Sequence, residues 1–199
     1  MKKNNLLLMI LINSFLGATE VLPETPLFKK DKIEISYITT DTVLDTNSSN
    51  KFDISYTKNL YNFLNIKANV GFGMLESKYY SSTMTMYGFG TELFYDFNET
   101  IYISYSTNIF VNSQSYINNG LEVADSMDIQ YDNDIAIYFK SFKYLYNKIY
   151  FGISYNKEVG MYYGAAIKYE YIKDLTFGVD MKVLSNNDTD FIFTTGYNF

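Results

Sequence analysis

Apolar and polar residues alternate along most of this chain. Side chains on a strand point to opposite faces with period two. In the segment 32–40, Ile33, Ile35 and Tyr37 therefore share one face while Glu34 and Ser36 share the other. Segment 51–58 repeats the pattern, with Phe52, Ile54 and Tyr56 opposite Asp53, Ser55 and Thr57. The third stretch sets Leu64, Ile66, Ala68, Val70, Phe72 and Met74 against Asn65, Lys67, Asn69, Gly71 and Gly73. Tyr87, Phe89, Thr91, Leu93, Tyr95 and Phe97 oppose Gly88, Gly90, Glu92 and Asp96, and Ile101, Ile103, Tyr105 and Ile109 oppose Tyr102, Ser104, Ser106 and Asn108. The sixth segment places Ile135, Ile137 and Phe139 outward, and the seventh Ile149, Phe151, Ile153 and Tyr155. Tyr163, Ala165, Ile167, Tyr169 and Tyr171 face Gly164, Ala166, Lys168 and Glu170 in the eighth. In the ninth, Leu175, Phe177, Val179, Met181 and Val183 face Thr176, Gly178, Asp180 and Lys182. The tenth ends the chain, with Phe191, Phe193, Thr195, Tyr197 and Phe199 on one face.

Connections support that count. Tight links are expected near 59–62, 98–100, 142–147 and 173–174, and polar loops near 41–50, 76–82, 112–128, 156–160 and 185–189. Short turns at one end and longer loops at the other are the asymmetry of an up-and-down transmembrane barrel. An all-β, antiparallel, ten-stranded barrel over 32–199 is the predicted fold; eight strands with one misread hairpin is the alternative.

The N-terminus bears on location. Lys2 and Lys3 precede an apolar run from Leu6 to Ile12, continued by Phe15 and Leu16, and Leu16 and Ala18 suit the −3 and −1 positions of a cleavage site. The run is shorter than the roughly 20 residues a spanning helix needs. Residues 1–18 are predicted to be a signal peptide, and 19–31, which holds both prolines, Pro23 and Pro26, a periplasmic lead-in. Loss of Lys2 and Lys3 takes the net charge from −6 to −8. All 16 basic residues are Lys, and so acidic a chain without a basic patch argues against nucleic acid.

Glycine and charge describe the inner face. Gly71, Gly73, Gly88, Gly90, Gly152, Gly164, Gly178 and Gly196 fall in the inward register, which lets a small barrel curve and leaves room for large side chains opposite. Glu34, Asp53, Lys67, Glu92, Asp96, Lys168, Glu170, Asp180 and Lys182 are the candidate lumen charges. Confined charges must be paired, and signs mix along single strands, as at Lys168 and Glu170. A filled lumen with an internal ion-pair network is the expectation; a charge-lined conduit is the alternative. Outward Tyr56, Phe63, Tyr95, Phe97, Tyr144, Tyr146, Tyr171 and Phe199 are expected to form the periplasmic aromatic girdle.

The chain has no His and no Cys. The Ser–His and Asp–His mechanisms and metal sites built on imidazole or thiolate are therefore closed to it, and neither catalysis nor a cofactor is expected. Asp132 and Asp134, or Glu122, Asp125 and Asp128, form carboxylate clusters. They read as a solvated acidic loop, with at most weak Ca²⁺ binding, because the spacing is not that of a dedicated calcium loop.

Signal peptide, alternating strands, turn asymmetry and the terminal aromatic strand together resemble the small outer-membrane β-barrels of Gram-negative bacteria, the group of OmpA-like, OmpX-like and small porin-like proteins. The resemblance implies a cell outer-membrane location, contact with lipid and lipopolysaccharide, and insertion by the barrel-assembly machinery, which would read Phe191, Phe193, Tyr197 and Phe199. It also implies a role in envelope integrity, in surface adhesion through a loop such as 112–128, or in slow passage of small solutes. The peptidoglycan-binding domain of longer OmpA-type members is not expected. A secreted soluble barrel or sandwich is the reading outside the membrane. Deleting Phe199 is expected to lower the amount of heat-modifiable barrel in outer-membrane fractions severely; normal insertion of the truncated chain would remove the basis for a C-terminal assembly signal.

Overall fold

The computed structural model describes residues 26–41, 48–76, 81–118, 121–142, 144–156 and 159–199. The expected signal peptide and the first part of the lead-in lie outside these residues, as do most of the 41–50 and 76–82 loops.

Ten strands follow one another in chain order: β1 (Lys32–Asp41), β2 (Ser48–Tyr61), β3 (Leu64–Glu76), β4 (Ser81–Asp96), β5 (Ile101–Asn118), β6 (Leu121–Phe142), β7 (Leu145–Tyr155), β8 (Val159–Ile172), β9 (Leu175–Leu184) and β10 (Thr189–Asn198). Each pairs with its sequence neighbours, and β10 pairs with β1 to close the barrel. That seam runs antiparallel without a register shift from Lys32↔Asn198 to Asp41↔Thr189. Closure leaves no edge and lets every backbone donor in the lipid zone find a partner. The ten-strand reading holds, and the eight-strand alternative falls.

The inside-out distribution of side chains follows the alternation. Outward Ile35, Ile54, Phe72, Tyr87 and Phe89 are 48%, 47%, 57%, 58% and 54% exposed. The polar residues between them, such as Ser55, Asn65, Ser104 and Thr176, are buried. A water-soluble domain would reverse this order.

Three expectations need correction. The segment 112–128 is not a loop. It continues the β5–β6 ladder from Asn112↔Asp128 to Asn118↔Leu121, flanked by β4 as far as Ser81↔Ile117 and outrunning β7, whose pairing with β6 ends at Tyr131↔Tyr155. Beyond the bilayer neither face of a strand needs apolar residues, so the alternation fades while backbone pairing goes on. Tyr146, expected in the lipid-facing girdle, points inward and is 5% exposed. Its parity is opposite to that of Ile149 and Phe151, which face out. Phe139 keeps its outward register yet is buried together with Lys140 and Ser141, beside the register shift between Lys140 and Phe142. The rest of the expected girdle is exposed, Tyr95, Phe97 and Tyr171 being the most open, at 68%, 65% and 65%.

Both ends of the ladder meet at one rim, the periplasmic one in the predicted orientation. Here Asp31 acts as a clasp. Its carbonyl accepts the Phe199 amide at 2.9 Å, and its carboxylate accepts the Asn59 amide at 2.7 Å and the Lys58 ammonium at 2.5 Å. On the other side of β10, the two-residue turn between β8 and β9 places Asp174 at φ 70°, a left-handed conformation that Asp tolerates. The Asp174 carbonyl accepts the Asn198 amide at 2.7 Å.

Val70 lies in an outward row, level with Ile54 and Tyr87. Val70→Lys is expected to destabilise the barrel in lipid vesicles by about 2–4 kcal/mol if the row lies near the midplane. Inward Asn69→Ser, which loses one hydrogen bond to Asp53, should cost about 1 kcal/mol. Urea titration monitored by tyrosine fluorescence measures both; equal penalties would contradict the register.

Candidate functional site

A cavity of about 360 Å³ occupies the lumen. Seven of the nine predicted charges line it: Glu34, Asp53, Lys67, Glu92, Lys168, Asp180 and Lys182. Asp96 and Glu170 sit instead at the periplasmic rim. The Asp96 side chain is 57% exposed, and Glu170 is buried against the β8–β9 turn, accepting the Asp174 amide at 3.0 Å. Lys32, Asp132, Asp134 and Lys148 complete the cavity wall.

Opposite charges meet at three places on the wall. Glu34 is held between Lys168, in contact with one carboxylate oxygen, and Lys32, at 3.1 Å from the other. Lys148 lies 3.9 Å from Asp134, and Lys182 lies 3.8 Å from Asp132. Three tyrosines reach over a neighbouring strand to carboxylates on the next one. Tyr138 donates to Glu92 at 2.7 Å, Tyr150 to Asp180 at 2.8 Å and Tyr162 to Asp134 at 3.3 Å. Two lysines also stand over the rings. The Lys182 ammonium is 3.9 Å from the Tyr162 centroid, and that of Lys148 is 4.8 Å from Tyr150 and 5.3 Å from Tyr138. Charges so desolvated need this pairing to be tolerated.

Glycine makes the crossing rings possible. Tyr150 pairs across the ladder with Gly164, and Gly152 with Tyr162. A Cβ at Gly152 would lie 2.3 Å from the Tyr162 ring, and one at Gly164 would lie 2.4 Å from the Tyr150 hydroxyl. The two rings lie over bare backbone and contact each other edge to face, 6.2 Å apart.

The periplasmic mouth is filled by the chain itself. Residues Leu27–Lys29 form a single 3₁₀ turn ahead of β1. Phe28 enters the barrel and is 6% exposed. Its ring centroid is 4.4 Å from that of Tyr138, 4.9 Å from Tyr102, 5.3 Å from Phe94 and 6.2 Å from Tyr146. The buried Asn65 amide donates to the Phe28 carbonyl at 2.7 Å. Lys29, 5% exposed, contacts Asp96 and stands 5.0 Å from the Tyr102 centroid and 5.8 Å from that of Phe94. Phe28 and Tyr146 both border the lumen cavity, so the Phe28 ring is its floor.

Solved structures show the same architecture. The β domain of the Bordetella autotransporter Brka superposes with a TM-score of 0.51 at 8% identity, over 85% of this chain and 99% of that one. KdgM porin gives 0.45 at 12% identity, over 83% and 99% of the two chains. Ail, the attachment invasion locus protein of Yersinia pestis, gives 0.45 at 10% identity, over 85% and 97%. The chain has the fold of an outer-membrane β-barrel. At such identities the likeness concerns the fold alone. No family model matches the chain, and no curated protein does.

Parity would have revealed the lumen charges that the sequence reading missed. With Ile135 and Ile137 outward, Asp134 and Asp132 must point in; the structure buries them, at 9% and 6% exposed, rather than leaving them in a solvated loop. Lys148 follows from outward Ile149 and Lys32 from outward Ile33. Asp125, by contrast, is exposed on the far part of β6. No parity argument foretells Phe28, because it precedes the first strand.

Gly152→Ala is expected to destabilise the barrel by about 1–3 kcal/mol, as overpacking does. Adding Tyr162→Ala should lower that cost, since the ring causes the clash. A double-mutant cycle by urea titration in vesicles reads the coupling; strictly additive effects would show that Tyr162 does not lie over Gly152.

Proposed function

We propose that this protein is an envelope barrel whose lumen rests closed and whose work is done by its wall and outer rim. Its role is structural, in the outer membrane, or interactive, at the cell surface. The observation that carries this reading is the closed end of the lumen: Phe28 floors it among four aromatic rings, and on the wall above carboxylates are held by lysines or by tyrosine hydroxyls. A wide aqueous pore would instead hold water-exposed charges along an open path.

The outer rim supports the interactive side. The β5–β6 hairpin rises well past the point where β6 loses its pairing with β7, at Tyr131↔Tyr155. The rise is rigid ladder and not loop, so it offers a preformed surface. Met127 and Ile129 on its outer face are 73% and 52% exposed. Lipid and lipopolysaccharide would surround the belt below, and the assembly machinery would act on the terminal strand. The competing reading, a narrow channel, draws on one observation: a cavity lined by charged and hydroxyl-bearing side chains lies in the lumen.

Recording from planar bilayers separates the two. A chain beginning at Thr19, shown by heat-modifiable migration to be folded and inserted, should give no sustained discrete conductance steps. Persistent steps from that chain would overturn the closed resting lumen.

A further inference from the structure

The segment 26–31 closes the lumen without belonging to the barrel wall. We propose that it is a displaceable cork, and that its withdrawal joins the lumen cavity to the periplasm as a path for small hydrated ions. The proposal rests on the resting closure described above and adds a gate to it.

Two features point to displacement. The ladder begins at Lys32, so the cork has no strand partner. Its own backbone contributes one turn bond, from the Lys29 amide to the Pro26 carbonyl at 2.9 Å. The tethers that hold it are side-chain contacts near the rim. Asn65 grips the Phe28 carbonyl, Lys29 meets a half-exposed Asp96, and Lys30 lies 3.4 Å from Asp174 and 3.8 Å from Glu170. Behind them Asp31 is clasped to Asn59, Lys58 and Phe199. The chain therefore has a fixed hinge at Asp31 and a short arm beyond it.

Geometry says what opening would do. Phe28 is the floor of the cavity, and four aromatic rings surround it. Removing that one ring leaves a vestibule walled by Phe94, Tyr102 and Tyr146, with the ion-paired lumen directly above. Charge sets the preference of the path. Its wall carries Glu34, Asp53, Glu92, Asp132, Asp134 and Asp180 against Lys32, Lys67, Lys148, Lys168 and Lys182. Withdrawal also takes Lys29 and Lys30 away from the carboxylates at the rim. Both changes favour cations over anions.

The test uses single-channel recording on three proteins: the chain from Thr19, the same chain with Phe28→Ala and Lys29→Ala, and a chain beginning at Asp31, which keeps the clasp. Heat-modifiable migration confirms that each is folded. The two cork-deficient proteins should conduct in discrete steps with an open probability about tenfold or more above the parent, and their reversal potential in a KCl gradient should favour K⁺. Folded and inserted cork-deficient proteins as silent as the parent would overturn the proposal, as would a preference for Cl⁻. A second test ties the cork. The chain lacks Cys, so Lys29→Cys with Asp96→Cys supplies the only two thiols. Oxidation should hold the protein closed and reductant should release it; equal conductance in both states would overturn the gate. Persistent steps from the parent alone would sink the closed resting state and leave the gate to be judged by the tied protein.

Discussion

Every backbone amide and carbonyl inside a bilayer must find its partner within the protein, and that requirement shapes all that follows here. A sheet can meet it only by closing. The β1–β10 seam does so in unbroken register. Once closed, the barrel has a lipid side and a lumen side, and each residue in the membrane zone is assigned to one of them by its parity. Outward positions are then filled by Ile, Val, Phe and Tyr, and everything polar is driven into a narrow interior.

That interior is where the electrostatic demands concentrate. Ten strands enclose limited space, and the charges placed there cannot be left to bulk water. They answer one another: Glu34 with Lys32 and Lys168, Asp132 with Lys182, Asp134 with Lys148. Tyrosine serves twice, filling volume with its ring and satisfying a carboxylate with its hydroxyl. The glycines opposite those rings are part of the same device, because any Cβ at Gly152 or Gly164 would occupy the space the rings need. Curvature, filling and charge neutralisation are thus met by a single Gly–Tyr–carboxylate arrangement.

The periplasmic mouth obeys a different logic. Its aromatic ring of Phe94, Tyr102, Tyr138 and Tyr146 faces inward near the rim, where no facing strand fills the space. A residue from outside the wall, Phe28, completes the packing. Closure of the lumen therefore depends on a few contacts of a short arm, whereas closure of the barrel depends on the whole ladder. The two can be separated, which is what makes a gate physically possible in so compact a protein.

Sequence by itself determined the barrel, its strand count and the side on which most residues lie, because period-two alternation is a local property imposed by lipid on one face. It also located seven of the lining charges and the inward glycines. Only the tertiary structure decided the rest. Outside the bilayer the lipid constraint lapses, so the polar segment 112–128 looked like a loop although its ladder continues to Asn118↔Leu121. Asp132 and Asp134 were read with that loop for the same reason. The pairing of Lys168 with Glu34, 134 residues apart, depends on barrel closure and has no local signature. Phe28 belongs to no alternating segment at all. Its role exists only because the closed sheet leaves an aromatic-lined opening beside the hinge at Asp31.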